Sequence, residues 1–230
     1  VNLTAESSAL KKVTPQVEQF VSTLPICSNH PIQLSKQTYP VSEALIVPSR
    51  INFVGAAANL YEQNYQMHGS ALVISRYLQT AWLWEKIRVQ GGAYGGMCAF
   101  DQRVGTFTFA SYRDPNLEDS IKIYQQTGQF LKDLKLDEAE LTRSLIGAIG
   151  QLDAYMLPDS KSFTNAKRRL VGYTDTKRQQ LRDEVLSTTQ QHFNQFGEIL
   201  DAAFRNPRVA VLCDQESAAR AGLKTQTIVL

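Results

Sequence analysis

Residues 83–96 read LWEKIRVQGGAYGG, and this stretch decides the fold because it joins a helix to a β-hairpin. Apolar residues occupy most of the circumference of a helix predicted from Ser70 to Val89, which indicates that this helix is central and buried. Beyond the glycines, Met97 to Phe100 and Gly105 to Tyr112 predict the two arms of the hairpin, because apolar and threonine side chains alternate along the second arm. The sequence therefore predicts a helix that passes through a glycine turn into a hairpin.

The chain on either side supplies further strands and a long helical region. Short apolar runs at Ala44 to Val47 and Ile51 to Ala57 predict two strands joined by a turn. Residues 114–205 predict helices almost throughout, and Val209 to Cys213 and Thr227 to Val229 predict two more strands. This order predicts an α+β fold in which one mostly antiparallel sheet is covered on one face by helices.

The N-terminal region predicts a strand at Val1 to Thr4 and a helix that stops before Pro15, where a second helix begins. The stretch from Pro25 to Pro40 has little periodicity, so we expect a flexible connector over residues 25–41. No internal repeat or further linker follows. We therefore expect residues 1–230 to form a single domain.

Composition excludes several classes of partner. The formal net charge of +2 is too small to indicate nucleic acid or a membrane surface as a partner. No window has the roughly 18 uninterrupted apolar residues of a transmembrane helix. The three cysteines are odd in number and widely spaced, which favours a reducing, intracellular compartment over a disulfide framework. The first residue is Val1 rather than Met, as expected of a piece of a longer protein.

Motifs for a complete catalytic centre are missing from the sequence. The three histidines, His30, His68 and His192, lack another histidine or a cysteine at helical ligand spacing, so we expect no metal site in this chain. Neither HExxH nor HxxEH occurs, and no GxSxG elbow carries a nucleophilic serine. The glycine run follows a helix and enters a strand, whereas a phosphate-binding loop follows a strand and opens a helix. The glycines are therefore expected to let another backbone approach closely or to bend a strand.

Two side chains frame the glycines: Arg88 near the end of the helix and Tyr94 near the start of the hairpin. A cation in the last turn of a helix interacts favourably with the helix dipole, and a tyrosine at this place can be half-buried for packing alone. From the residues themselves, a purely structural role for both therefore stays open beside a functional one.

At these residues the sequence resembles the C-terminal domain of the presequence-protease branch of the pitrilysin/insulinase-type zinc metallopeptidases. The segment from Arg88 to Tyr94 is the most specific part of the resemblance, which extends over nearly the whole chain. Four other stretches are similar to the same family: Asn52-Phe53-Val54-Gly55, Ala58-Asn59-Leu60-Tyr61, Ser111-Tyr112-Arg113-Asp114-Pro115-Asn116 and the helix that begins at Asp175.

The resemblance implies a C-terminal domain that closes a chamber over the N-terminal catalytic half of the same polypeptide. That half binds the zinc, so this chain is expected to hold no cofactor and to be inactive alone. Arg88 and Tyr94 are implied to bind the substrate carbonyl and its oxyanion, and Gly91, Gly92 and Gly95 to contact the substrate. Short unstructured peptides are the implied substrates, in the bacterial cytoplasm or in an organelle matrix or stroma.

A second interpretation stays open within the same superfamily, because some of its members are core subunits of respiratory complexes that only assemble. In that case the chain is a non-catalytic scaffold. An HxxEH motif in the remainder of the polypeptide favours the protease, and its absence favours the scaffold. Arg88 and Tyr94 also favour the protease, since a scaffold has no need of them.

Overall fold

The computed structural model describes residues 1–26 and 41–227, which contain eight α-helices and six β-strands. The helices are α1 (Ser7–Ser22), α2 (Ser70–Thr80), α3 (Leu117–Asp133), α4 (Glu138–Leu152), α5 (Pro158–Leu170), α6 (Asp175–Leu186), α7 (Gln190–Ala203) and α8 (Gln215–Arg220). The strands are β1 (Ser42–Ile46), β2 (Asn52–Asn59), β3 (Gly95–Asp101), β4 (Thr106–Asp114), β5 (Arg208–Cys213) and β6 (Lys224–Thr227). A 3₁₀ turn at Tyr61–Gln63 and a π-helix at Trp84–Gln90 complete these elements.

The strands form one mixed sheet in the order β3-β4-β2-β5-β1-β6. The β3–β4, β4–β2 and β2–β5 pairs are antiparallel, whereas β1 pairs in parallel with both β5 and β6. This arrangement confirms the predicted α+β fold with a mostly antiparallel sheet. The two predicted strands are present as β1 and β2. In the sheet, however, β5 lies between them and forms a backbone pair with each.

One face of the sheet carries the core, and this follows from the period-two alternation of its strands. In β4, Phe107, Phe109 and Ser111 are buried, while the residues between them are only partly covered. Register places Phe109 beside Ala56 of β2 and Cys98 of β3, so apolar side chains meet across neighbouring strands. Aromatic rings from the helices close over this row, for example where Tyr124 stacks on Phe109 at 5.1 Å. Helices thus cover one face of the sheet, as predicted.

The helices that cover the core are packed tightly against one another as well as against the sheet. Helix α3 packs against α7, and α2 packs against β3 and α4. Gly128 of α3 lies against the backbone of α7, where an added Cβ would come within 2.6 Å of Asp201 Cα. Only a residue without a side chain allows this separation of the two helices.

The N-terminal region differs from its prediction. Val1 to Thr4 forms no strand, and α1 runs through Pro15 without interruption. A proline removes one hydrogen-bond donor, but its φ is compatible with a helix, so the helix continues. The expectation of two separate helices was therefore wrong. Most of the connector predicted at residues 25–41 lies outside the described residues.

The described residues fall into two compact units. One consists of residues 1–26 and 153–179, and the other of residues 41–152 and 180–227. The second unit contains the sheet and all the candidate site residues. The single domain over residues 1–230 stays a prediction. Within the described part of the chain, no helix has the length and apolarity needed to cross a bilayer.

Candidate functional site

The segment before the glycines is a π-helix, and it presents Arg88 on its solvent side. The helix predicted over Ser70–Val89 is α-helical only to Thr80, and residues Trp84–Gln90 form i→i+5 turns instead. Ile87 is buried and holds this segment against the core, whereas Trp84 and Arg88 are exposed. The Arg88 guanidinium carbon lies 4.2 Å from the centre of the Trp84 ring, which is the geometry of a cation–π contact.

The glycines that follow are needed for the turn itself. Gly92 has φ +73°, a left-handed conformation that side chains other than hydrogen disfavour. A Cβ on Gly91 would lie 2.7 Å from the carbonyl oxygen of Ile87, and one on Gly96 would lie 2.9 Å from the Ile87 Cβ. Gly95, in contrast, faces open space. The preceding helical segment of the same chain therefore approaches the turn closely, with its backbone at Gly91 and with the Ile87 side chain at Gly96.

Tyr94 leaves this turn beside Arg88 and points into solvent. Its N–H donates to the carbonyl oxygen of Tyr112 at 3.1 Å, which ties the start of β3 to the end of β4. The side chain is 65% exposed, and its ring packs edge-on against Tyr112 at 5.6 Å. The Arg88 guanidinium carbon lies 5.8 Å from the Tyr94 ring centre. The structure therefore brings together the two side chains that the sequence singled out, and both are accessible.

A buried carboxylate supports the turn from behind, and sequence reasoning assigned it no role in the site. Asp114 is 1% exposed and accepts hydrogen bonds from the hydroxyls of Ser111 and Ser120, both at 2.5 Å, and from the Asn116 N–H at 2.8 Å. The Asn116 amide in turn donates to the carbonyl oxygen of Gly91. In the sequence, Asp114 belongs to the stretch Ser111 to Asn116. This stretch resembles the family, but it contains no motif with a known chemical role.

The strand end beside this carboxylate is unusual too. Arg113, between Tyr112 and Asp114, has φ +50°, which is rare for a residue with a side chain. Its guanidinium carbon lies 5.5 Å from the centre of the Tyr112 ring. The hydrogen bond from Ser111 to Asp114 and the bend at Arg113 flank Tyr112 in the chain, and Tyr94 packs against its ring.

No three metal-ligating side chains come together in residues 1–26 and 41–227. His68 and His192 do meet, with nearly parallel rings 4.7 Å apart. Their Nδ1 atoms accept backbone N–H groups, that of Ser70 at 3.2 Å and that of Thr189 at 3.0 Å. The described residues therefore do not fit a zinc ion. His30 lies outside the described residues.

The two described cysteines are structural in character. Cys98 and Cys213 are both buried, and neither forms a disulfide. Burial raises the pKa of the Cys98 thiol to about 12, and its sulfur donates to the carbonyl oxygen of Ser75. A thiol with so high a pKa is a poor nucleophile, because the thiolate is the reactive form. Cys27 lies outside the described residues.

Comparison with solved structures identifies the class of the fold. The crystal structure of pitrilysin matches with a TM-score of 0.58 at 13% identity, over 97% of this chain and 25% of that one. A protease from Helicobacter pylori matches with a TM-score of 0.57 at 13% identity, over 90% of this chain and 52% of that one. The fold is therefore that of the pitrilysin/insulinase-type proteases.

Sequence comparison identifies the branch. The profile of the family described as "PreP C-terminal domain" matches residues 42–214, and the chain belongs to this family. Presequence protease 1, chloroplastic/mitochondrial, of Arabidopsis thaliana is 42% identical over 212 residues, which cover 92% of this chain and 20% of that protein. The chain thus spans about one fifth of the length of this relative. The resemblance found in the sequence is confirmed.

Proposed function

We propose that this chain is the C-terminal, substrate-binding and chamber-closing domain of a zinc metalloendopeptidase that degrades short unfolded peptides. It acts with the N-terminal catalytic half of the same polypeptide, and it is inactive alone. Arg88 and Tyr94 complete the active site of that half, and Gly91, Gly92 and Gly95 lie along the path of the substrate. Membership of a peptidase family and the small share of its relative that the chain covers support this division.

One observation carries the proposal. Arg88 and Tyr94 stand side by side in solvent, although neither side chain contributes to the core. Among the described residues, the Arg88 guanidinium has no hydrogen bond or ion pair, and the Tyr94 hydroxyl has no hydrogen bond. Two adjacent donors without acceptors suit a ligand that brings its own acceptor, such as a peptide carbonyl.

The chemistry of the two side chains fits amide hydrolysis. Attack on a peptide carbonyl builds negative charge on its oxygen, and donors placed there in advance lower the barrier by about 3 to 4 kcal/mol. A guanidinium offers a charged, planar fork of N–H donors, and a phenol offers one O–H donor. Within the proposed reaction, Arg88 and Tyr94 orient the scissile carbonyl and stabilise that developing charge.

Zinc enters the proposal only through the other half of the polypeptide. When bound there, a zinc ion polarises the carbonyl and activates water. The role proposed for this chain is to hold the substrate and to exclude water. The relatives include proteins named as chloroplastic or mitochondrial, and we propose an organelle matrix or stroma, or a bacterial cytoplasm, as the place of action.

The first test measures hydrolysis of a short unstructured peptide by this chain with zinc, with and without the separately expressed N-terminal half. The expected result is no cleavage by the chain alone and chelator-sensitive cleavage by the mixture. Cleavage by the chain alone would overturn the division of labour. No cleavage by either the mixture or the full-length protein would favour the scaffold interpretation.

The second test assigns the residues in the full-length protein. Arg88→Ala and Tyr94→Phe are expected to lower kcat about 100-fold or more, the loss typical when one oxyanion donor is removed. Zinc content is expected to stay the same. Arg103→Ala removes an exposed guanidinium in the turn between β3 and β4 and serves as the control. Unchanged turnover in both site variants would refute the roles proposed for Arg88 and Tyr94.

A further inference from the structure

Four aromatic residues form a continuous row around Arg88, and we call them the aromatic row: Trp84, Tyr94, Tyr112 and Phe53. Trp84 lies under the Arg88 guanidinium at 4.2 Å, and Arg88 also borders the Tyr94 ring at 5.8 Å. Tyr94 packs on Tyr112 at 5.6 Å, and Tyr112 packs on Phe53 at 5.1 Å. Trp84 lies in the π-helix, Tyr94 immediately before β3, Tyr112 in β4 and Phe53 in β2.

Ring contacts restrain Arg88 and Tyr94 in the described part of the chain. Neither the Arg88 guanidinium nor the Tyr94 hydroxyl forms a hydrogen bond there, so ring contacts limit their rotamers in place of polar ones. An unrestrained arginine has many rotamers to lose when it binds a substrate, and that loss weakens binding or catalysis. Ring contacts reduce this loss in advance.

These contacts also leave the donors free. A guanidinium that lies on an aromatic face keeps its N–H groups in its plane, where they can still donate to a carbonyl oxygen. An edge-to-face contact between two tyrosine rings similarly leaves the hydroxyl of Tyr94 open to solvent. A salt bridge to Arg88 would hold the guanidinium just as well, but it would occupy the donors.

We propose that Trp84 and Tyr112 are positioning residues, Trp84 for Arg88 and Tyr112 for Tyr94. The proposal rests on the proposed function, since it assumes that Arg88 and Tyr94 contact the substrate. Phe53 and the buried Asp114 hydrogen bonds in turn hold the Tyr112 ring. Trp84 acts by the breadth of its indole face and Tyr112 by its ring, so neither depends on its own polar atom.

The test uses steady-state kinetics of the full-length protein. Trp84→Leu and Tyr112→Leu are expected to lower kcat about three- to tenfold with little change in KM, in keeping with the loss of one ring contact. Trp84→Phe and Tyr112→Phe are expected to restore most of the activity, because each retains an aromatic ring. Ile146→Ala, which truncates an exposed apolar side chain of α4, is expected to change neither constant.

A double-variant comparison separates positioning from general packing. Trp84→Leu is expected to have no further effect in an Arg88→Ala background, and Tyr112→Leu none in a Tyr94→Ala background. Additive losses in both pairs would overturn the proposal. If Trp84→Leu lowers the Tm of the protein, Trp84→Met, which keeps apolar volume without a ring, decides the outcome by the same comparison.

The two proposals fail in different ways. If Arg88→Ala and Tyr94→Phe leave turnover unchanged, the proposed function is wrong and the aromatic row has nothing to position. If those variants lose activity while the two leucine variants behave like Ile146→Ala, the proposed function stands and the positioning role is refuted.

Discussion

The guanidinium carbon of Arg88 lies 5.8 Å from the ring centre of Tyr94, although Arg88 belongs to a π-helix and Tyr94 immediately precedes a strand. The glycine turn between them makes this separation possible, because it reverses the chain against the end of its own helix. Hydrogen bonds behind the turn and aromatic rings beside it keep the two side chains in place. Each of these supports can be tested separately.

Alanine substitutions at two glycines of this stretch, Gly92 and Gly95, are expected to have different effects on stability. Gly92 has φ +73°, so Gly92→Ala is expected to lower the free energy of unfolding by about 1 to 2 kcal/mol. Gly95→Ala meets nothing within 4 Å and is expected to be neutral within about 0.5 kcal/mol. Urea unfolding of the two variants checks both values. Equal losses would show that conformation at Gly92 is not what the turn requires.

The buried carboxylate predicts a large loss on truncation. Asp114→Ala leaves the Ser111 and Ser120 hydroxyls without their acceptor in the core, and we expect a cost of about 3 kcal/mol. Asp119→Ala removes an exposed carboxylate paired with Lys122 and is expected to cost less than about 0.5 kcal/mol. Thermal or urea unfolding distinguishes the two. A small loss for Asp114→Ala would mean that water replaces the carboxylate.

Alanine substitutions at two helix glycines are expected to change stability in opposite directions, because only one of the glycines lies at the contact between α3 and α7. Gly128→Ala forces a Cβ to within 2.6 Å of Asp201 Cα, and we expect a loss of stability of about 1 to 3 kcal/mol. Gly150, in α4, has open space around it, so Gly150→Ala is expected to stabilise by about 0.5 to 1 kcal/mol. Denaturant midpoints of the two variants give the signs directly. Stabilisation by both would refute the close approach of the two helices.

The stacked histidines predict a dependence of stability on pH. Burial, and then the neighbouring His68, lower the pKa of His192 below its ordinary value of 6.5. The unfolded chain therefore binds more protons than the folded one as the pH falls below that value, and stability decreases. Protonation of Nδ1 would also break its hydrogen bond from the Thr189 N–H. Glu184 of α6 brings a carboxylate close to His68, because it accepts the N–H of the adjacent Gly69.

The measurement compares Tm for the unchanged chain and for His192→Gln at about pH 7.5 and about pH 5.5. The variant is expected to lose less Tm over this interval, because it lacks the His192 imidazole, whose pKa is lowered in the folded chain. Carboxylates titrate alike in both proteins and cancel in the comparison. Equal losses would show that His192 does not contribute to the pH dependence.

The sequence by itself determined most of the strands and helices around the site and the class of fold. Alternation along β4 and the helical patterns after residue 114 are local, and each favours one conformation once one side is buried. The stretch from Arg88 to Tyr94 also led to the correct family by resemblance. The roles of those two residues stay predictions, because their chemistry depends on a substrate and on the other half of the polypeptide.

Only the tertiary structure decided how these elements meet. β5 lies between β1 and β2 because its backbone pairs with both, and no local pattern records a pairing between residues so far apart in the chain. The change from α-helix to π-helix at Trp84, which aligns its ring with Arg88, is likewise set by how Ile87 and the glycine turn pack. In the sequence, nothing distinguishes Asp114 from an aspartate on the surface. It supports the site because the folded chain buries it beside two serine hydroxyls. Long-range pairing and burial are properties of the packed chain, so they lay beyond what the sequence pattern could show.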